Sequence, residues 1–182
     1  MPADDLRAVK LTDATRIWNA AIALACSPRE LVAPVDTVMF CLSKGLSAPV
    51  GSILCGPAAV IAEARAHRSR MGGGMRQAGI IAAAGIVALE TMVERLADDH
   101  ARAARLAAAL AERWPGSLDP ASVRTNIVCA ELSKLPPNLV ERLAERGVLS
   151  GTIDPRTIRL VTHNDVDDDA IAAAISALDE LV

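Results

Sequence analysis

The chain has 182 residues, a length that suits one domain or one domain with part of another and that can bury a hydrophobic core. Hydrophobic residues make up 52% and charged residues 23%, with a net charge of −3, which excludes a disordered chain and predicts no bulk attraction to nucleic acid or an anionic membrane. Because alanine occurs 35 times against two Trp and one Phe, the core is predicted to consist mainly of small side chains on closely packed helices.

The first part of the chain alternates short strands with helices. A short strand is predicted over residues 9–12, followed by a helix over 13–25 for which Asp13 could serve as the N-cap. The β-rich apolar run over 37–42 ends in Ser-Lys-Gly and predicts a buried strand. A second short strand over 50–55 and a helix over 58–69 complete this part.

The second part of the chain has the pattern of a compact α/β unit. After the glycines at 72–74, apolar spacing predicts one long helix over 78–114, bent near Gly85. The remaining predicted elements are strands over 123–130 and 157–162 and helices over 138–146 and 168–181. We therefore expect one domain over residues 1–90, whose strands need partners that the rest of the chain does not obviously supply, and another over 91–182.

Targeting and metal-binding signals are absent from the sequence. The longest apolar run, over 78–89, is shorter than the ~20 residues that cross a bilayer, and the N-terminus has acidic residues where a secretory signal has cations. We expect a cytoplasmic protein without a membrane segment. The four cysteines form no CxxC motif and mostly lie in apolar runs, which predicts buried free thiols and no metal site.

Lys44 lies two residues after the end of the strand predicted over 37–42. Lysine is scarce in this chain, with three residues against sixteen arginines, so this position does not reflect a general preference for lysine on the surface. A lysine that forms a Schiff base needs a rigid strand-end position, partial desolvation and a small neighbour such as Gly45 that gives a flat cofactor access. The alternative is a solvated lysine in a turn, which position alone favours.

Asp13 is a candidate partner for the same cofactor. A carboxylate that pairs with the ring nitrogen of pyridoxal phosphate keeps this nitrogen protonated, so the ring can accept electrons from a bond broken at the substrate Cα. An acid and a lysine at two neighbouring strand ends would lie on both sides of such a ring. The alternatives are an N-cap for Asp13 and a solvated first-turn cation for Arg16.

Three separate blocks, over 13–57, 68–90 and 157–166, resemble in order the corresponding stretches of low-specificity L-threonine aldolases. These enzymes are beta-eliminating lyases with the aspartate-aminotransferase-like fold, fold type I of the pyridoxal-phosphate enzymes. The resemblance implies an α/β protein that comprises the C-terminal portion of the large cofactor-binding domain and the small C-terminal α/β domain.

The resemblance also implies a role for each of five residues. Lys44, in SKG, is similar to the lysine that binds pyridoxal 5'-phosphate as an aldimine, and Asp13, in DATR, to the partner of the pyridine nitrogen. Arg16 and Arg159, the latter in RLVTH, resemble the pair that holds the substrate carboxylate. Arg76, in GGGMRQ, matches an arginine near the cofactor and the subunit interface, so residues 72–81 are expected to pack against another chain.

The sequence also departs from the family pattern. LTDATR stands where the family has HLDGAR, and the residues before it show little resemblance. In the family, the phosphate-binding loop and the imidazole that stacks on the cofactor belong to a half that precedes this stretch, and neither is expected within these 182 residues.

Two functional hypotheses follow from the resemblance. The first is a pyridoxal-phosphate-dependent lyase that cleaves L-threonine or L-allo-threonine to glycine and acetaldehyde and forms a homo-oligomer. The second is a truncated, catalytically silent chain, or one half of a split aldolase that needs a separate N-terminal half. A different reaction of the same cofactor, such as β-elimination, is a third alternative.

Overall fold

The computed structural model describes residues 11–182, which form two compact units, one ending at Glu94 and one running from Arg95 to Val182. The first two residues of the strand predicted over 9–12 lie outside the described residues. In the part of the chain that the structure describes, no helix combines the length and apolar character needed to span a membrane.

The first unit contains a three-stranded mixed sheet and four helices. Its elements are β1 (Leu11–Asp13), α1 (Ile17–Leu24), α2 (Pro28–Leu31), β2 (Thr37–Cys41), β3 (Ser52–Cys55), α3 (Ala58–Arg70) and α4 (Gly79–Thr91). The central strand β2 pairs in parallel with β1 and antiparallel with β3. Within the described residues, β1 and β3 are thus the two edges of this sheet.

The core of the first unit is small. Ile17 and Ala21 of α1 and Val38 of β2 are buried, as the helical and β-rich patterns predicted. The rings of Trp18 and Phe40 contact each other edge to face, with centroids 5.9 Å apart and an interplanar angle of 83°. The unit therefore concentrates its few aromatic residues where α1 meets the sheet.

The last two helices of the first unit are largely exposed. No residue of α3 is buried, and α4 buries only Gly85 and Ala88. The exposed fractions of Ile80, Ile86 and Val87 are 79%, 55% and 56%. A helix that exposes several large apolar side chains has not covered its apolar surface within the unit.

The second unit packs helices on one face of a three-stranded antiparallel sheet. Its elements are α5 (Leu96–Arg113), β4 (Ile127–Glu131), α6 (Leu139–Ala144), β5 (Gly151–Asp154), β6 (Thr157–Val161) and α7 (Asp168–Asp179), with strand order β4-β6-β5. The core comprises Leu106 and Leu110 of α5, Val128 of β4, Ile158 of β6 and Ile171 of α7.

A buried ion pair holds the start of α5. The Asp99 carboxylate is fully buried and accepts two hydrogen bonds from the Arg95 guanidinium, at 2.6 and 3.2 Å. The Asp99 carbonyl accepts a hydrogen bond of 2.6 Å from the buried Thr162 hydroxyl, which ties the helix to the segment after β6. These polar contacts thus fix the start of α5 to the segment after β6.

The prediction of one long helix over 78–114 is wrong. The chain forms α4 and α5, separated at residues 92–95, and the boundary between the two units lies in this break. No Gly or Pro occurs in the break, so the sequence has none of the residues that usually mark a helix end. At the last residue of α4, the Thr91 hydroxyl donates a hydrogen bond of 2.7 Å to the Val87 carbonyl, a contact that often bends a helix.

Three further expectations need correction. Asp13 is not an N-cap, because it is the last residue of β1 and α1 begins after Arg16 without a side-chain cap. The strand β5 was not predicted, and all four of its residues are exposed, so it has no alternating pattern. All four cysteines are free, but none is buried: Cys26 and Cys41 are half-buried, and Cys55 and Cys129 are exposed. Cys129 faces outward because its neighbours Val128 and Ala130 face the core.

Candidate active site

The carboxyl ends of β1 and β2 lie side by side in the first unit. The two strands are parallel, with Asp13 opposite Met39, and Lys44 follows three residues after β2 ends at Cys41. Loops after the carboxyl ends of parallel strands are where α/β proteins usually bind ligands. The structure therefore brings Asp13 and Lys44 to the same edge of one sheet, as two neighbouring strand ends.

The Asp13 carboxylate is held by the turn that follows it. Its Oδ1 atom accepts hydrogen bonds from the backbone N–H of Thr15, at 3.1 Å, and from the Thr15 hydroxyl. The turn itself is fixed to β2, because the Ala14 amide donates to the Met39 carbonyl at 2.8 Å and the Cys41 amide donates to the Thr15 carbonyl at 3.4 Å. The carboxylate is exposed, so its other oxygen can accept a hydrogen bond from a ligand.

Lys44 lies in a tightly bonded loop. The Leu42 amide donates to the Gly51 carbonyl at 2.9 Å, and the Ala48 amide donates to the Leu42 carbonyl at 3.1 Å. The Ser47 amide donates to the carbonyl of Lys44 itself at 2.8 Å. The backbone of Lys44 is thus fixed, while its side chain is exposed.

The segment that leads into this loop packs on α4 through Leu42. Leu42 is buried, and a Cβ atom added to Gly85 would lie 2.8 Å from its Cδ1 atom. A Cβ atom at this position would force the buried Leu42 side chain to shift, since non-bonded carbon atoms prefer about 3.5–4.0 Å. The segment that leads into Lys44 therefore rests on the helix at its least bulky residue.

Arg16 lies beside Asp13 at an open groove of about 380 Å³. The groove lies between the start of α1 and α2, and Leu31 and Val32 form part of its wall. The Arg16 side chain is exposed and forms no ion pair with the residues that the structure describes. An arginine in this position can hold a carboxylate with two parallel hydrogen bonds.

The other two predicted site residues lie elsewhere in the chain. Arg76 is exposed in the segment between α3 and α4. Arg159 belongs to the second unit, where it occupies the middle of β6 opposite Cys129 and Gly151. Its side chain is exposed because Ile158 and Leu160 on either side face the core. Arg76 therefore belongs to the same unit as Asp13, whereas Arg159 belongs to the second unit.

Thr15 is the residue that sequence reasoning missed. The sequence pattern places it only within the DATR motif, yet its backbone N–H and hydroxyl both donate to Asp13. The available signal was an Asp followed two residues later by Thr, since an Asp side chain commonly accepts from the backbone two residues ahead.

The residues at this edge fit the cofactor that the resemblance implies. Pyridoxal phosphate has a ring nitrogen that a carboxylate can hold and an aldehyde that a lysine amine can attack. Asp13 offers an exposed carboxylate with one oxygen engaged by Thr15, and Lys44 offers an exposed amine on a fixed backbone. Within residues 11–182, no group of three or more His, Cys, Asp or Glu side chains is arranged to hold a metal ion.

Comparison with known protein sequences gives one family and several relatives. The model of the beta-eliminating lyase family matches residues 3–133. The chain is 40% identical over 161 residues to the low specificity L-threonine aldolase of Escherichia coli K12, covering 88% of this chain and 47% of that protein. It is 36% identical over 173 residues to the probable low-specificity L-threonine aldolase 2 of Arabidopsis thaliana, covering 93% of this chain and 49% of that protein.

Comparison with solved structures supports the same fold. A putative aromatic amino acid beta-eliminating lyase/threonine aldolase from Exiguobacterium superposes with a TM-score of 0.73 at 19% identity, over 94% of this chain and 52% of that chain. An ornithine aminotransferase from Toxoplasma gondii superposes with a TM-score of 0.62 at 19% identity, over 94% and 42%. The predicted aspartate-aminotransferase-like fold is confirmed. The chain spans about half the length of these relatives and matches their C-terminal half.

Proposed function

Because this chain belongs to the beta-eliminating lyase family, we propose that it works as a pyridoxal-phosphate-dependent lyase of the threonine aldolase type. The reaction is the cleavage of L-threonine or L-allo-threonine to glycine and acetaldehyde. The observation that supports this most is the position of Asp13 and Lys44 at the neighbouring carboxyl ends of two parallel strands.

Each residue of the site has a task that its chemistry suits. Lys44 would hold the cofactor through its amine, and the Asp13 carboxylate would accept a hydrogen bond from the protonated ring nitrogen. Arg16 binds the substrate carboxylate, with Arg159 as the second arginine for this task. Arg76 is a cofactor-binding residue. When bound, pyridoxal phosphate supplies an electron sink for the bond that breaks at the substrate Cα.

A second candidate function is one half of a split aldolase, silent without its counterpart. Among residues 11–94, three features support this candidate: the edge strand β3, helix α3 without a buried residue, and an open groove of about 410 Å³ between them. The groove is lined by Ile53, Leu54 and Ile61, with Arg65 and Arg68. A polypeptide equivalent to the N-terminal half of the relatives could add a strand at β3 and cover these apolar side chains.

The proposal extends to assembly and compartment. We propose a homo-oligomer in which residues 72–81 face a second copy, since Met75 and Ile80 in this segment are exposed apolar side chains. Four free cysteines support a cytoplasmic location, because thiols stay reduced there.

The test is release of glycine from threonine by the full chain, alone and together with the N-terminal half of the Escherichia coli relative. The split candidate predicts no measurable turnover by the chain alone and turnover by the mixture. Lys44→Ala should abolish that turnover, whereas the matched control Lys134→Ala, which removes an exposed lysine of the second unit, should leave it intact. Efficient cleavage by the chain alone would contradict the split candidate. A stable mixture without cleavage would contradict the aldolase.

A further inference from the structure

Thr15 makes two contacts to the Asp13 carboxylate. The Thr15 hydroxyl and its backbone N–H both donate to Oδ1, so one carboxylate oxygen is fixed from two directions. A carboxylate that accepts a single hydrogen bond can rotate about that bond, whereas two donors on one oxygen restrict both the side-chain rotamer and the plane of the carboxylate group. The hydroxyl is the part of this contact that depends on the side chain.

Thr15 is itself anchored to the strand that leads to Lys44. Its carbonyl accepts from the Cys41 amide at 3.4 Å, and the preceding Ala14 amide donates to the Met39 carbonyl at 2.8 Å. Thr15 therefore connects Asp13 to β2 through backbone contacts and fixes the direction of the carboxylate relative to this strand. Sequence departs from the family pattern here, since DATR stands where DGAR is usual and alanine has no hydroxyl to donate.

We propose that Thr15 is a positioning residue of this site: its hydroxyl holds Asp13 in the one orientation in which the free carboxylate oxygen, Oδ2, pairs with the cofactor ring nitrogen. The inference rests on the proposed function, because it needs a ring at Asp13. Thr15 does not touch the reacting atoms and acts only through Asp13.

The magnitude follows from rotamer counting. Without the hydroxyl, χ1 of Asp13 can sample about three staggered wells, one of which is the observed orientation. Protonation of the ring nitrogen should then be weaker by about threefold, which moves the midpoint of its titration down by about half a pH unit. The backbone N–H of Thr15 still donates to Oδ1 in such a variant, so the effect should not exceed this factor.

The experiment uses the full chain with the cofactor fixed covalently. The chain is incubated with pyridoxal phosphate that contains ¹⁵N in the ring and is reduced with borohydride, so that weak affinity does not limit occupancy. The labelled lysine is identified by peptide mapping. The ring-nitrogen shift is then titrated by NMR in wild type, Thr15→Val, Thr15→Ser and Asp13→Asn, and in the Asp13→Asn/Thr15→Val double variant.

The expected midpoints separate a positioning role from a structural one. Thr15→Val should lower the midpoint by about half a pH unit, and Thr15→Ser, which keeps the hydroxyl, should restore the wild-type value. In the Asp13→Asn background, Thr15→Val should have no further effect, because no carboxylate remains to be oriented. The Trp fluorescence spectrum of each variant reports the edge-to-face contact of Trp18 with Phe40 and so checks that α1 remains in place on the sheet.

Two kinds of result would overturn the inference. If Lys44 is labelled but Thr15→Val titrates like wild type, or if Thr15→Ser behaves like Thr15→Val, the hydroxyl does not orient Asp13, although the proposed function stands. If the label is spread evenly over Lys10, Lys44 and Lys134, no site is assembled, and the proposed function fails together with this inference.

Discussion

Replacing Gly85 by alanine should destabilise the first unit, although alanine is the better helix former. Gly85 lies inside α4, and its added Cβ would be 2.8 Å from Cδ1 of the buried Leu42. Such overpacking typically costs about 2 kcal/mol, while the change from Gly to Ala in a helix contributes about 1 kcal/mol of stability. We therefore expect the Gly85→Ala variant to lose about 1 kcal/mol net.

Gly79→Ala is the matched control, because it changes the same residue type in the same helix. A Cβ added at Gly79 meets no atom within 4 Å, so only the helix-propensity gain remains. In the first turn this gain should be about 0.5 kcal/mol, which places the two variants about 1.5 kcal/mol apart.

The assay is urea unfolding of the full chain followed by Trp fluorescence. The chain has two tryptophans, so a Trp114→Phe background leaves Trp18 as a probe of the first unit. In the Leu42→Ala background, Gly85→Ala should cost less than in wild type, because the clashing side chain is gone. If Gly85→Ala is as stable as Gly79→Ala, the account of the Leu42 contact is refuted.

Two predictions concern the second unit. Asp99→Asn should cost about 3 kcal/mol of stability, because it leaves the Arg95 guanidinium without its buried partner. The control Asp98→Asn changes an exposed neighbour and should alter stability by less than about 0.5 kcal/mol. Denaturant unfolding with Trp114 as the probe measures both variants, and similar losses would contradict the role of the buried pair. Burial lowers the pKa of His100 from its ordinary value of 6.5, against the opposing charge of Asp99, so the unfolded chain binds a proton more readily. The stability that this pKa shift contributes is complete above pH 6.5 and is lost as the pH falls through the lower pKa of the folded state. His100→Gln should therefore flatten the dependence of the unfolding free energy on pH. An unchanged dependence in this variant would show that His100 is not its cause.

Strong local patterns were sufficient to predict several elements. The β-rich run over 37–42 forms β2 at Thr37–Cys41. The helical spacing over 58–69 forms α3 at Ala58–Arg70. The placement of Lys44 in the loop after this strand and of Asp13 at the end of another also follows from these patterns. Each of these features depends on side chains that are adjacent in sequence.

Features that depend on distant contacts were not predictable. The break between α4 and α5 contains no Gly or Pro, and β5 has no buried face to produce an alternating pattern. Cys129 lies in an apolar run of the sequence, but side chains alternate between the two faces of β4, and Cys129 is on the exposed face. The two hydrogen bonds from Thr15 to Asp13 arise from the path of the turn, which only the folded backbone defines.

Selective attachment of pyridoxal phosphate to Lys44 tests the central claim most directly. The full chain is incubated with the cofactor, reduced with borohydride and mapped by peptide mass analysis in wild type and in Asp13→Ala. We predict label on Lys44 in preference to Lys10 and Lys134, and loss of this preference in Asp13→Ala, because Asp13 holds the ring beside Lys44. Label spread evenly over the three lysines in wild type, or selective label on Lys44 that persists unchanged in Asp13→Ala, would contradict the account.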